Sequence, residues 1–366
     1  MTATVPRQAV PEQPKPVRLR VPVIYRPESA VFWLFVLTLV VSTVMLLADE
    51  AGAIKETLDA QVALAPIWLA FIVFPIWLMA KFDPFRSARA HPQALVAGTA
   101  LGATAAMTMA MTGNTALFSV WYRILDPDVA SRWSAALSAP IIEEAAKALC
   151  ATMILVLSSS VFNRISHALL LGMFVGFGFD VMEDLVYASR QAISSLDSDV
   201  SGAGWNLVLR VFTAVPAHWA YTALATVGVL LLLPTFAGRD TWSWPRRVSV
   251  AVALMFSASL MHFIWDSPTP DEGLPGLGVM LLKVVLNLVI FLVPVLFLLR
   301  AERSWVRGQI AGRPDLPFDR ALLDSLPTRR GRRALERQAR REGGRSAKKA
   351  VRRQQRAALD AIQAGA

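Results

Sequence analysis

Pro140-Ile-Ile-Glu-Glu-Ala-Ala-Lys-Ala-Leu-Cys150 places two adjacent glutamates and a lysine inside an apolar run long enough to cross a bilayer. An ionised side chain near the middle of a membrane helix costs roughly 2.5–3.5 kcal/mol, so such residues persist mainly where they pair, bind an ion or do chemistry. Together with three other apolar runs, this stretch predicts one buried polar site formed by four helices. The polar groups of the other runs are Glu183 with Asp184, His218, and His262 with Asp266.

The composition is that of a membrane protein. Of the 366 residues, 55% are hydrophobic and 17% are charged, whereas a soluble domain carries about a quarter charged residues. Apolar runs of about 18–25 residues recur, the length of a membrane-spanning helix, and open strands cannot satisfy their backbone groups in lipid. The sequence therefore predicts an all-α, polytopic (multi-pass) protein of the cell membrane. The single cysteine, Cys150, excludes an intramolecular disulfide.

About eight apolar runs are predicted to span the membrane, with both termini cytoplasmic. Lysine and arginine outside the runs concentrate in the two tails and in the loops after the second, fourth and sixth runs, as is typical of cytoplasmic segments. This orientation places the polar groups of the four site-bearing runs between the outer face and the membrane centre. The runs cover residues 31–48, 62–80, 94–112, 133–157, 165–187, 207–233, 248–265 and 277–299.

Charge divides the chain into three regions. Residues 1–30 form a basic cytoplasmic tail that is predicted to be disordered, residues 31–300 form the transmembrane domain with its site-bearing helices at about 133–266, and residues 301–366 form a second basic cytoplasmic tail. The net formal charge is +3 for residues 1–30 and +11 for residues 300–366. We expect the tails to bind an anionic lipid surface rather than nucleic acid. Alternatively, they only fix the topology.

Glu143, Glu144 and Lys147 are neighbours on one helix, because residues three and four apart lie close together there. The lysine can neutralise one carboxylate, and the other remains available as a general base that activates water. We favour Glu144 as the base, since Glu143 shares a face with Lys147. The alternative is an ion pair that only stabilises the helix.

His218, His262 and Glu183 are the predicted metal ligands. Two histidines and a carboxylate, with an open position for water, form the ligand set of a catalytic zinc hydrolase site. Pro216 is expected to bend its helix toward a cavity just before His218. Asp266, four residues after His262, can orient that imidazole. The alternatives are a helix-to-helix hydrogen bond for His218, and exposure to water for Glu183 and for the pair of His262 and Asp266.

Three other functions fit parts of this pattern. A glutamate and a histidine could hydrolyse a peptide bond without a metal. Acidic and histidine side chains could also form the relay of an ion-coupled or proton-coupled transporter, although the two halves of the chain show no internal repeat. A non-catalytic membrane scaffold would keep its function when the site residues are changed to alanine.

The motifs resemble, in the same order on successive helices, those of the PrsW family of bacterial intramembrane metalloproteases, which is related to the CAAX-processing membrane proteases. Asp184, where the family more often has asparagine, and the additional acid Asp180 depart from the family pattern. The resemblance covers about residues 131–266 and rests on Glu143-Glu144-x-x-Lys147, Phe179-x-x-x-Glu183, His218 and His262-x-x-x-Asp266.

The resemblance implies an intramembrane metalloendopeptidase. Its substrate would be a single-span, membrane-anchored protein such as an anti-sigma factor, cleaved near the outer face of the membrane. The residues implied as essential are Glu143, Glu144, Glu183, His218 and His262.

Overall fold

The computed structural model describes residues 23–213, 215–270 and 273–364, and within these ranges the protein is all helical, without strands. The predicted disordered tail falls largely on residues 1–22, outside the described residues. The helices are α1 (Ala30–Glu56), α2 (Leu58–Ala63), α3 (Ala65–Met79), α4 (Pro92–Leu101), α5 (Met107–Ile124), α6 (Pro127–Leu157), α7 (Ile165–Ser194), α8 (Asp199–Thr213), α9 (His218–Leu232), α10 (Trp244–Asp266), α11 (Gly273–Ala311), α12 (Arg320–Ser325) and α13 (Arg329–Ala364).

Five helical segments of the described residues are long and apolar enough to cross a membrane. α3 and α9 are apolar but shorter, and α6 carries the two glutamates and the lysine. The prediction of an all-α, multi-pass membrane protein is confirmed at this level. The five segments are Ala30–Glu56, Pro92–Ile124, Ile165–Ser194, Trp244–Asp266 and Gly273–Ala311.

The predicted sixth span, residues 207–233, is two helices rather than one. α8 ends at Thr213 and α9 begins at His218. Pro216, which follows a cis peptide bond, lies between them. Proline removes a backbone donor and either kinks or breaks a helix, and here the chain starts a new helix where the sequence predicted only a bend. As a result, His218 is the first residue of α9.

α7 and α9 form the centre of the bundle and are buried along most of their length. Glycines on α7 let the two helices approach closely. A Cβ atom at Gly172 would lie 2.5 Å from the carbonyl oxygen of Thr222, and one at Gly176 would lie 2.4 Å from that of His218. Real Cβ atoms essentially never come this close, so any larger residue would push α9 away from α7.

The outermost helices, α1 and α11, expose large apolar side chains. Leu37 and Val44 of α1 are 60% and 62% exposed, and Leu281 and Val285 of α11 are 56% and 55% exposed. Soluble monomers rarely expose apolar surface on this scale, whereas lipid tails are as apolar as leucine. The exposed faces of these two helices therefore form part of the lipid-facing surface of the bundle.

Residues 329–364 form a helical hairpin. Its arms, residues 329–342 and 345–364, meet at Gly343 and Gly344, and Gly344 has a φ of 71° that favours glycine. The basic tail is thus helical and packed in its described part. The hairpin packs on α12 and the end of α11 through a second apolar core of Phe85, Val306, Ile310, Leu322, Leu323, Leu326, Ala358, Leu359 and Ile362.

Candidate active site

The residues that the sequence assigned to the site come together from four helices. α7 and α9 contribute one residue each, Glu183 and His218, and Asp266 is half-buried at the end of α10. The others lie on α6 and α10. Six of the seven are buried, with exposures of 0–6%: Glu143, Glu144, Lys147, Glu183, His218 and His262.

The lysine of α6 neutralises Glu144 more closely than Glu143. Its Nζ lies 2.7 Å from Oε1 of Glu144 and 3.4 Å from Oε2 of Glu143, whereas the sequence favoured Glu143 as its partner. Asn114 of α5 donates a hydrogen bond of 2.9 Å to the other oxygen of Glu143. Oε2 of Glu144 is buried and has no hydrogen-bond partner among the described residues, so it can still accept a proton.

α7 holds His218 at the start of α9. The carboxylate of Asp180 accepts hydrogen bonds from the backbone N–H groups of His218 (3.2 Å) and Trp219 (3.1 Å), two donors that the first turn of a helix leaves without internal partners. Nε2 of His218 lies 3.2 Å from Oε2 of Glu183, and Nδ1 lies 2.7 Å from Nζ of Lys147. Because an ammonium only donates, Nδ1 accepts and the ring proton of His218 lies on Nε2, facing Glu183.

His262 on α10 lies between two acids. Its Nδ1 is 3.0 Å from Oε1 of Glu144, and its Nε2 is 3.3 Å from Oδ2 of Asp266. The structure therefore contains the contact between His262 and Asp266 that their spacing predicts. The ring of Tyr221 stacks on that of His262, with centroids 5.4 Å apart, and the rings of His218 and His262 lie edge to face at 4.8 Å.

Three of these side chains are arranged to hold a metal ion. Glu143, His218 and His262 each offer a ligand atom, and the three atoms lie within 4.8 Å of one another. Two imidazoles and a carboxylate form a donor set that zinc takes in catalytic sites, and the unpartnered oxygen of Glu144 lies beside it. The residues present thus fit a divalent cation. Glu183, a ligand in the sequence prediction, lies 3.2 Å from Nε2 of His218 and is not part of this set of three.

The sequence model that describes the PrsW family intramembrane metalloproteases matches residues 90–299. The chain belongs to the PrsW family. It is therefore a peptide hydrolase, as the resemblance implied, and the transporter and scaffold alternatives are set aside. A search of curated proteins and a search of solved structures found no match.

Two cations of this PrsW-family protease were missed from the sequence, one in contact with the site and one at the end of the helix that carries His262. Arg210 on α8 is the first. Its Nε lies 2.9 Å from Oδ1 of Asp184, and one of its terminal nitrogens lies 3.3 Å from Oε2 of Glu183. It thereby balances two acids of α7, Asp184 and Glu183. The signal was a lone arginine inside the predicted sixth span, where an ionised residue needs a reason to be present.

Lys283 on α11 is the second. Its Nζ donates hydrogen bonds to the carbonyl oxygens of Trp265 (3.1 Å) and Ser267 and to the hydroxyl of Thr269 (2.7 Å). These acceptors lie at the end of α10, where the last carbonyls of a helix lack internal partners. Lys283 therefore fixes the end of the helix that carries His262, and its signal was again a lone cation inside a predicted span.

Proposed function

We propose that this PrsW-family protease is a zinc-dependent endopeptidase of the cell membrane that cleaves a single-span membrane protein, such as an anti-sigma factor, near the outer face. The observation that carries the proposal is the buried set of Glu143, His218 and His262, with Glu144 beside it. An ionised cluster at this depth is costly unless its charges serve binding or chemistry.

In this proposal Glu143, rather than Glu183, is the carboxylate ligand beside the two histidines. When bound, a zinc ion polarises the scissile carbonyl and makes a water molecule acidic at neutral pH. Glu183 accepts the Nε2 proton of His218 at 3.2 Å and so keeps the Nδ1 lone pair directed at the site. Asp266 lies 3.3 Å from Nε2 of His262 and would accept the proton of that nitrogen when Nδ1, which lies 3.0 Å from Oε1 of Glu144, binds the ion.

Glu144 is the proposed general base. Its Oε2, buried and without a hydrogen-bond partner in the described residues, accepts the proton of a water molecule and later delivers it to the leaving amine. Lys147 lies 2.7 Å from the other oxygen and favours the ionised carboxylate that a base requires. In the neighbouring Glu143, by contrast, both carboxylate oxygens have partners, Asn114 for one and Lys147 for the other.

Eight spans with both termini cytoplasmic remain our topology, with α8 and α9 together as the sixth. Residues 329–356 of the helical hairpin contain thirteen lysines and arginines and two glutamates, a composition that favours the cytoplasmic side. The hairpin contacts Arg164, the residue before α7, through Gln363. Glu183 lies nineteen residues further along the chain, about 28 Å along a helix, which supports a site nearer the outer face.

Co-expression with a panel of tagged single-span membrane proteins tests this function. Wild type should release a substrate fragment, whereas Glu144→Gln and His262→Ala should release none. The matched control is Glu56→Gln, which changes an exposed glutamate at the end of α1 and should cleave like wild type. A fragment that persists with Glu144→Gln, or full activity in protein that contains no metal, would contradict the proposed mechanism.

A further inference from the structure

The turn of the helical hairpin carries an open cleft of about 280 Å³. One lining residue, Arg340, lies before the turn at Gly343 and Gly344, and the others follow it, so the cleft is formed by both arms. A bidentate ion pair between Glu336 and Arg352 joins the arms next to the cleft. The cleft is lined by Arg340, Arg345, Lys348, Lys349 and Arg352.

The positive charge of this cleft is largely uncompensated. Glu336 lies 2.7 Å from Arg352 and 4.0 Å from Lys348. Within the described part of the chain, no carboxylate forms an ion pair with the other three lining residues. Like charges held this close repel one another. An anion bound between them would relieve that repulsion, and this gives the cleft a driving force for binding.

The hairpin is also held in shape, so its cations do not have to be gathered by the ligand. Gln355 donates a hydrogen bond to the backbone carbonyl of Arg332 across the two arms, and Ala358, Leu359 and Ile362 pack into the second apolar core. Among the described residues, the large apolar side chains that are exposed all lie at or before Phe297. The surface of the hairpin therefore binds by charge and hydrogen bonding rather than by insertion into lipid tails.

We propose that this cleft is a binding site for a phosphate-bearing anion. Arginine offers a planar fork of donors that matches phosphate oxygens, and lysine offers a compact charge. A phospholipid headgroup of the adjacent membrane surface and a soluble phosphate compound share this chemistry. The cleft lies beyond residue 299, where the family match ends, and is built on other elements than the candidate active site, so it does not depend on the proposed proteolysis.

Isothermal titration calorimetry on the full-length protein in a non-ionic detergent tests the site. The titrants are short-chain phosphatidylglycerol, short-chain phosphatidylcholine as the neutral lipid, and inorganic pyrophosphate. The cleft variant is Arg345→Glu with Lys348→Glu and Lys349→Glu. The control variant is Arg337→Glu with Arg353→Glu and Arg356→Glu, which makes the same change in charge at exposed positions of the same hairpin.

Wild type and control should bind an anionic titrant, and the cleft variant should bind it at least about a hundredfold more weakly, since each of its three basic residues contributes about a factor of five near an anionic surface. A preference for phosphatidylglycerol over pyrophosphate identifies the lipid as the source, and the reverse identifies a soluble phosphate. Absence of binding by wild type, or equal losses in both variants, would overturn the proposal. If the cleft variant does not fold, the corresponding triple glutamine variant replaces it under the same criteria.

Discussion

The ammonium nitrogen of Lys147 lies 2.7 Å from Nδ1 of His218, so a lysine of α6 occupies the lone pair through which that ring would bind a metal ion. Glu144 and Glu143 offer the same ammonium other acceptors at 2.7 and 3.4 Å. Lys147 can therefore leave His218 without becoming an unpaired buried charge. It is both the counter-ion of the acids and a competitor of the metal.

Replacing this lysine should consequently change stability and metal binding in opposite directions. In Lys147→Met the acids of α6 lose their cation, and we expect the metal-free protein to be destabilised by about 3–5 kcal/mol, as for a broken buried ion pair. Zinc should restore the stability and bind at least as tightly as in wild type. Melting temperatures with and without zinc measure the stability, and competition with a chelator measures the zinc affinity. A tenfold loss of zinc affinity would refute the competition.

The identity of the carboxylate ligand is tested by a pair of isosteric variants. Glu143→Gln removes the ligand atom in our assignment and should lower zinc affinity by more than about a hundredfold. Glu183→Gln removes only the acceptor that orients His218 and should lower it by about ten- to a hundredfold, as such outer contacts do. Metal content and competition with a chelator show which of the two variants loses more zinc affinity. A larger loss of zinc affinity in Glu183→Gln than in Glu143→Gln would instead support Glu183 as the ligand, as the sequence predicted.

Glu144→Gln should separate catalysis from metal binding. The amide keeps the size of the side chain but cannot take a proton, so we expect the cleavage rate to fall by about 10²–10⁴, the usual contribution of a general base. Zinc content should stay at the wild-type level. Rates come from a substrate identified by co-expression, with Glu56→Gln as the control. Loss of zinc together with activity would instead make Glu144 a ligand.

Arg210 should stabilise the folded protein by balancing the charges of the acids that it contacts. Arg210→Met leaves Glu183 and Asp184 close together and without this cation, and we expect a loss of about 3 kcal/mol in the free energy of unfolding. Adding Asp184→Asn removes one of the two charges and should recover part of that loss. Thermal unfolding of the two variants measures the recovery. If the double variant is no more stable than Arg210→Met, the ion pairs do not explain the role of Arg210.

Gly176 should be intolerant of a methyl group. A Cβ atom there would lie 2.4 Å from the carbonyl oxygen of His218 and 2.7 Å from Cα of Trp219, so Gly176→Ala must displace the start of α9 and with it His218. We expect weaker zinc binding and loss of cleavage. Gly278→Ala on α11 is the control, because nothing lies within 4 Å of its Cβ position. Wild-type zinc affinity in Gly176→Ala would contradict this account.

The sequence predicted which residues share a face of one helix, but it predicted only in part which of these neighbours pair and which residues meet between helices. The four-residue spacing of His262 and Asp266 fixes their common face, and the structure contains their contact. Which glutamate Lys147 approaches depends on side-chain packing among four helices, so the preference for Glu143 failed. Asp180 was only an additional acid in the sequence, because its hydrogen bonds to α9 depend on where α9 begins.

The division of the sixth span shows the same limit. Pro216 indicated an irregularity, but whether a helix bends or restarts depends on the partners that its freed backbone groups find. The carboxylate of Asp180 accepts hydrogen bonds from the backbone N–H groups of His218 and Trp219. These bonds stabilise the first turn of α9, so a new helix can begin there. In the sequence, partners were sought only for the acids and histidines inside predicted spans. The same question, which residue balances this charge, would have identified Arg210 and Lys283 if it had been applied to every ionised residue in a span.

The length of α9 has a consequence for the supply of water. With 15 residues, α9 extends about 22 Å, short of the ~30 Å thickness of the hydrocarbon layer. In our topology its first residue, His218, therefore lies within the sixth span rather than at its end, at the break where α8 stops and α9 begins. A cavity of about 20 Å³ lined by Asp184, Arg210 and His218 lies at this break and is large enough for one solvent molecule, so the division of the span leaves room for the water that a hydrolase consumes in each turnover.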